Sequence, residues 1–312
     1  MSLAIFETTK IAILLATYNG EKYISEQIES ILKQSYDNWD LYIHDDGSND
    51  GTLEIIKKYQ EKYPRKIYVL ESQKVGSAKN NFFYLMRNVK APYYMFCDQD
   101  DVWVSNKIEL TIERMKDNEK GKKNTPILIF SDLKVVDKNL KTISSKMSKY
   151  QNLNMYYTDI YHLMLQNIVT GCTCMINDRC KELALECKKV ETVIMHDWWC
   201  GLIASYFGKI DYIDTPLILY RQHTNNSVGA KNVRDVKYIL YKVRDYTNVR
   251  KSIQSTQKQI ACFEKTFDTR DKILMEYSVL SEQKKLKRIC FFIRNNIWKK
   301  GLIRNIGLVV NC

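Results

Sequence analysis

The chain has 312 residues, 45% hydrophobic and 27% charged, and is poor in Gly and Pro, which excludes a disordered protein and allows one large α/β domain plus an addition. No run approaches the roughly 18–20 apolar residues of a membrane-crossing helix, and residues 1–10 lack the pattern of a secretory signal, so the expectation is a cytoplasmic chain. The formal charge of +12 calls for an anionic partner, which leaves nucleic acid, an acidic membrane face or a phosphorylated substrate open.

From Lys10 short apolar strands alternate with amphipathic helices, the pattern of a mostly parallel sheet covered on both faces. Strand one is Ile11 to Ala16. Ile24, Ile28, Ile31 and Leu32 then fall on one helical face. Strand two is Leu41 to His44; after the Asp-Gly-Ser-Asn-Asp turn a second helix places Leu53 and Ile56 inward. Ile67 to Leu70 reads as strand three, Asn80 to Asn88 as a helix, and Tyr93 to Cys97 as strand four, running into the acidic loop Asp98 to Asp101. Further strands are expected at Ile127 to Phe130, Val169 to Ile176 and Ile210 to Ile213, with Leu217 to Tyr220 leading into a polar loop. The nine cysteines read as small core residues, because Cys172, Cys174, Cys180 and Cys187 lack the spacing of a structural zinc site. Residues 1–230 form the expected catalytic domain. Residues 231–312, rich in Lys and Tyr and helical in period, form a basic C-terminal region.

Open parallel sheets bind ligands outside the carboxyl ends of their strands, where Asn19, Asp45, Asp46, Asp98 and Asp100 all fall. Asp98-Gln99-Asp100-Asp101 crowds three carboxylates into four residues. Such crowding costs stability unless a cation neutralises it, and oxygen ligands on a short loop suit Mg²⁺ or Mn²⁺ bridging to a diphosphate. A solvated acidic turn is the plainer alternative. Asp45 and Asp46 can accept hydrogen bonds from a base N–H and ribose hydroxyls, whereas Ser48, Asn49 or Asp50 suffices to cap the next helix. Thr17, Tyr18 and Asn19 would form the neighbouring wall, although Tyr18 equally suits core packing. In His196-Asp197-Trp198-Trp199, a carboxylate beside two tryptophans is partly desolvated, which raises its pKa and suits a general base. The paired Trp faces suit a sugar ring, or a core. Arg221 and His223 lie two apart and in an extended segment face one way, toward a phosphate or the metal, or else sit with Asn225, Asn226 and Gly229 in an exposed loop.

The ordered motifs A-T-Y-N-G-E-K-Y-I, I-H-D-D-G-S-N-D-G-T, F-C-D-Q-D-D-V-W, H-D-W-W and Y-R-Q-H resemble family 2 glycosyltransferases of the GT-A fold over residues 10–229. The Asp-Gln-Asp-Asp-x-Trp form with downstream Lys107 and the Arg-x-His ending is similar to the rhamnosyltransferase-like branch. The resemblance implies that Asp100 is the principal metal ligand with Asp98 assisting, that Asp45 and Asp46 hold the nucleoside, and that Asp197 deprotonates the acceptor hydroxyl. It makes His223 a metal or phosphate contact and leaves His196, Trp198 and Trp199 toward the acceptor. His196 stands where many relatives carry an acid, and the Gln-x-x-Arg-Trp motif of processive synthases is absent, so addition of one or a few sugars is expected.

The expected activity is an inverting, metal-dependent hexosyl transfer, first from dTDP-L-rhamnose and alternatively from a UDP-hexose, to a glycan or lipid-linked acceptor in cell-surface polysaccharide synthesis. A sugar nucleotidyltransferase would need a Gly-rich basic loop that Thr17 to Tyr23 does not supply. A basic module without catalysis would leave the acidic loops unexplained, and those loops repel nucleic acid, which is not an expected partner. Leu286, Ile289, Ile293 and Ile297 repeat at helical spacing among Lys and Arg residues. That helix either lies on an anionic membrane, making the protein peripheral at the inner face of the plasma membrane, or packs on the domain with a solvated basic face.

Overall fold

The structure, a computed structural model, describes residues 10–71, 73–223 and 246–311. Asn225, Asn226, Gly229 and the expected domain boundary at residue 230 lie outside them. The first half of the described chain runs β1 (Ile11–Thr17), α1 (Ile24–Leu32), β2 (Trp39–Asp45), α2 (Thr52–Lys62), β3 (Ile67–Val69), α3 (Ala78–Asn88), β4 (Tyr93–Cys97), β5 (Val102–Trp103) and α4 (Lys107–Glu119). It continues through β6 (Ile127–Val136), β7 (Thr142–Ser144), α5 (Met147–Tyr150), α6 (Ile160–Leu163), β8 (Cys174–Asn177), α7 (Asp178–Leu185), α8 (His196–Phe207) and β9 (Lys209–Arg221). Four helices follow: α9 (Tyr246–Phe267), α10 (Lys272–Ser278), α11 (Lys285–Asn295) and α12 (Leu302–Asn311).

The strands form one sheet in the order β3-β2-β1-β4-β8-β6-β9-β5, with β7 on the outside of β6. From β3 to β4 every pairing is parallel. Beyond β4 the sheet is mixed: β8 runs antiparallel between β4 and β6, β9 runs parallel to β6, and β5 closes the edge antiparallel to β9. Period-two alternation separates two cores. Ala12 and Leu14 of β1 face one, Ile11, Ile13 and Leu15 the other. The second core takes Ile24, Ile28 and Ile31 of α1 and Ile108 and Ile112 of α4. The first takes α3, α7 and α8, and also Ile253, Ile260 and Phe263 of α9, Leu274 of α10 and Phe291 and Phe292 of α11. The C-terminal helices thus complete the cover of one sheet face.

Three local expectations are corrected. Leu53 is exposed, because the inward face of α2 is carried by Thr52 and Ile56. The apolar run from Val169 becomes a strand only at Cys174; Gly171–Thr173 make a 3₁₀ turn before it, and this turn carries residues into the site. Leu217 to Tyr220 belong to the long β9, continuous with Ile210 to Ile213.

Phe263 is the buried hub between α8 and the C-terminal helices, with Trp199, Tyr206, Phe207 and Phe267 around its ring. Phe263→Ala should therefore destabilise the chain by about 3–5 kcal/mol, as read from the midpoint of guanidinium unfolding; a loss below ~1 kcal/mol would show that α9 adds little to the core.

Candidate active site

The site begins with register. Parallel pairing sets Thr17 of β1 opposite Asp45 of β2 and Leu15 opposite Cys97 of β4, so three chain segments leave the sheet side by side. Asp45 is locked into the first of them: Oδ1 accepts the N–H groups of Gly47 and Ser48 at 3.1 and 2.7 Å, and Oδ2 accepts the hydroxyls of Thr17 and Ser48 at 2.8 and 2.5 Å. Two donors on each oxygen leave it a poor acceptor for anything else. Asp46 reaches the other way. Its Oδ1 takes the N–H groups of Val75 and Gly76, whereas Oδ2 takes only that of Gly76, at 3.0 Å. Asn19, at a φ of 50°, ties in by accepting from the N–H of Asn49 and receiving Ser48 Oγ on its own N–H. Tyr18 is half exposed, and its backbone is clasped by Gln99, which accepts from Tyr18 N–H and donates to Tyr18 C=O.

The acidic loop after β4 brings its carboxylates to the same edge. Burial, then the negative charges of Asp100 and Asp197, push the Asp98 carboxyl up to about 7. Residues a hundred positions apart are therefore close enough to feel each other through a low-dielectric cleft. Asp100 meets His223, with 2.7 Å between Oδ2 and Nε2. Asp101 is fully buried; one oxygen accepts Arg221 N–H and the other, Oδ2, has no hydrogen-bond partner among the described residues. Ligand atoms of Asp98, Asp101 and Cys172 lie within 4.8 Å of one another. Burial and the nearby carboxylates hold the Cys172 thiol well above its ordinary pKa, so it stays S–H beside Asp98 and Asp101. Asp100 and His223 already face each other, and Asp98 stands two residues before Asp100; their carboxylate oxygens and imidazole nitrogen are of the donor type that suits Mg²⁺ or Mn²⁺, although only Asp98, Asp101 and Cys172 converge within 4.8 Å among the described residues.

Asp197 sits in the first turn of α8, where the helix dipole favours an anion. Burial nevertheless dominates and pushes its carboxyl up to about 6. Asn167 Nδ2 and Trp198 N–H both donate to Asp197 Oδ1, at 3.3 and 2.5 Å. A Cβ on Gly171 would lie 2.8 Å from His196 Nε2 and 3.5 Å from Asp197 Oδ2, so only glycine lets the 3₁₀ turn pass this closely.

Several side chains expected at the ligand turn inward. Arg221 is buried and its guanidinium donates to Asp100 C=O, Lys138 C=O and Glu26 while lying over the Tyr23 ring. It braces the acidic loop from behind, with its side chain only 2% exposed. His196 is buried between Phe82 and Phe96, at centroid distances of 3.9 and 4.6 Å, and desolvation lowers its pKa to about 3, so it is a neutral core ring. Trp199 is fully buried against Phe263 and Phe267 and its Nε1 donates to Ala184 C=O, which leaves no face for a sugar. Trp198 is half buried, with Nε1 donating to Leu163 C=O. Gln99, Asn167, Gly171 and Glu26 escaped the sequence reading. Gln99 sits inside the acidic motif, but the others act on partners tens to hundreds of residues away and leave no local signal.

Comparison with known proteins gives the family and the fold. The profile of Glycosyl transferase family 2 matches residues 12–176. The dTDP-rhamnosyl transferase RfbG of Shigella flexneri is 32% identical over 237 residues, 72% of this chain and 76% of that one. An Escherichia coli protein, the UDP-Glc:alpha-D-GlcNAc-diphosphoundecaprenol beta-1,3-glucosyltransferase WfgD, is 27% identical over 169 residues, 54% of this chain and 60% of that one. Among solved structures, S. aureus TarS 1-349 in complex with UDP aligns at a TM-score of 0.55 and 15% identity, over 96% of this chain and 90% of that one. The mannosyltransferase PcManGT of Pyrobaculum calidifontis, in complex with GDP-Man and Mn²⁺, aligns at 0.52 and 14% identity, over 92% of this chain and 74% of that one. These structural matches establish a shared GT-A-like fold.

The brace at Arg221 is open to a direct test. Arg221→Met strands the Asp100 and Lys138 carbonyls and should cost roughly 2–4 kcal/mol of stability, and Arg221→Lys should not recover it because one ammonium cannot reach three acceptors in a fixed fork. Full recovery by Lys in thermal unfolding would show that only the charge matters.

Proposed function

The chain belongs to glycosyl transferase family 2, and from that premise we propose an inverting, metal-dependent hexosyl transfer in which Asp197 is the base and Asp98, Asp100 and His223 hold the metal. The observation that carries the reading is the 3₁₀ turn between the two acids: Gly171 passes beside Asp197 Oδ2 while its neighbour Cys172 lies within 4.8 Å of the Asp98 carboxylate, which sets the metal-side acid near the helix-borne one. A divalent cation, when bound, supplies positive charge that stabilises the leaving diphosphate and keeps it in line.

The chain's own residues do the rest. Asp197, its carboxyl raised by burial, is a stronger base than a solvated aspartate, and Asn167 and Trp198 N–H fix the direction in which its other oxygen points. An acceptor hydroxyl delivered to that oxygen loses its proton as it attacks the anomeric carbon from the face opposite the diphosphate. One displacement inverts the configuration and needs no nucleophilic Ser or Cys. The nucleoside lies against Tyr18, Asn19 and Asp46, whose Oδ2 retains acceptor capacity, while the buried Thr17, expected on that wall, joins Asp45 in shaping the turn beneath. Burial of His196 and Trp199 leaves Trp198 as the acceptor-side aromatic of the motif.

L-Rhamnose from a dTDP donor is the first choice, supported by the motif form and by the printed activity of the Shigella flexneri relative. A UDP-hexose is the alternative, supported by the Escherichia coli relative, whose name also gives a lipid diphosphate acceptor. A glycan or lipid-linked acceptor of cell-surface polysaccharide synthesis follows, which puts the work at the cytoplasmic side of a membrane.

Asp197→Asn should lower transfer by at least about 10³-fold, within the range attributed to general-base catalysis, while a thermal shift by dTDP or UDP with Mn²⁺ is retained. Transfer surviving in that variant would remove Asp197 from the role. Asp100→Asn should instead abolish the metal-dependent part of the nucleotide thermal shift; an unchanged shift would move the metal off Asp100.

A further inference from the structure

Residues 283–312 contain eight Lys and Arg and no Asp or Glu, against a net charge of +12 for the whole chain. The segment folds as α11 and α12, and each helix buries one side: Phe291 and Phe292 of α11, Leu308 of α12. The other sides are apolar as well. Leu286 and Ile293 of α11 are 77% and 62% exposed; Leu302, Ile306 and Val310 of α12, spaced i, i+4, i+8 along one row, are 75%, 53% and 46% exposed. Five of the twelve large exposed hydrophobics among the described residues therefore sit on these two short helices. Isolated exposed Leu or Ile residues are ordinary on a soluble surface, but rows of them are not.

Six of the eight cations divide into two groups. Arg304 donates to Gln151 and Asn152 carbonyls, Lys300 to that of Leu153, and Arg294 pairs with Glu276, so these three hold the helices to the rest of the protein. Lys284, Lys285 and Lys287 are exposed and flank Leu286, the most exposed of the apolar residues. No helix among the described residues is long and apolar enough to cross a membrane. Apolar rows edged by lysines, on helices fixed by their buried side, have the composition of a surface that lies in a lipid interface.

We infer that the outward rows of α11 and α12 form a docking face for a bilayer carrying anionic lipids. Leu286, Ile293, Leu302, Ile306 and Val310 enter the acyl boundary, and Lys284, Lys285 and Lys287 meet the phosphates. The face differs from the row expected from sequence, because Ile297 is buried and α12 contributes half the contact. It deepens the reading above, on which its purpose rests: a lipid-linked acceptor would be met at the surface where the enzyme already sits.

The test is flotation of the full chain with phosphatidylcholine vesicles, with and without phosphatidylglycerol. Binding is expected only with phosphatidylglycerol, and L302S/I306S should reduce the bound fraction by about tenfold at an unchanged melting temperature, as should K285E/K287E. Leu53→Ser, exposed on α2 far along the sequence, should bind as the parent does. Equal binding by L302S/I306S and the parent, no preference for phosphatidylglycerol, or no flotation at all would each overturn the docking face. Flotation without any nucleotide thermal shift would instead leave the face standing and sink the transferase reading.

Discussion

Everything at the site depends on holding like charges together at the edge of a sheet. Asp98, Asp100, Asp101 and Asp197 are crowded together, and that crowding, after burial itself, is what raises Asp98 to about 7. The fold offsets it from several directions. Arg221 supplies a buried guanidinium whose donors run to the loop's own backbone. Lys107 lies buried beneath the loop, its ammonium 3.8 Å from the centre of the Trp103 ring with no hydrogen-bond partner among the described residues, and burial lowers it to about 8. Neither cation reaches the open side of the cluster. The negative potential is thus left facing the cleft, where an exchangeable cation can answer it.

That asymmetry follows from the sheet's construction. The parallel half brings the ends of β1, β2 and β4 level, which accounts for the proposed nucleoside wall and the first acids. A parallel sheet alone would not bring Asp197 or His223 to the same edge. The antiparallel β8, entered through the 3₁₀ turn at Gly171, and the long β9, running parallel to β6, deliver the second half of the site to the first. Cys172 is buried beside Asp98 and Asp101 as part of the same seam.

What could be read from sequence was what depends on local order. An apolar strand followed by clustered acids announces a loop at a strand end, so the placement of Asp45, Asp46, Asp98 and Asp100 was legible, whereas His223 was left between a metal and a phosphate and its contact with Asp100 was not read. Arg221, His196 and Trp199 were not, because a guanidinium, an imidazole or an indole has the same sequence signature whether it faces a ligand or a core. Only the approach of Glu26 to Arg221, Phe82 to His196 and Phe263 to Trp199 decides between them, and these partners lie 195, 114 and 64 residues away along the chain. The failure at Val169 has a similar origin: a β-like apolar run was interrupted because the backbone at Gly171 must pass close to His196. The antiparallel insertion of β8 was invisible for the simplest reason, that strand direction is a tertiary property.

The C-terminal helices join these two themes. Phe263 and Phe267 pack on Trp199, two residues beyond Asp197, and Gln259 accepts Ile194 N–H just before α8 begins, at 2.7 Å. The helix that carries the proposed base is thereby bolted to the same assembly that turns its apolar rows outward. Close-packed interiors transmit position without needing to move, so a surface held by α11 and α12 would fix the height and tilt of Asp197 relative to whatever lies on that surface. For a soluble acceptor such a constraint has no use. For one anchored in lipid it converts a search through volume into a search along a plane, with the reacting hydroxyl presented at a constant distance, which is the part of the catalytic advantage that positioning alone can supply.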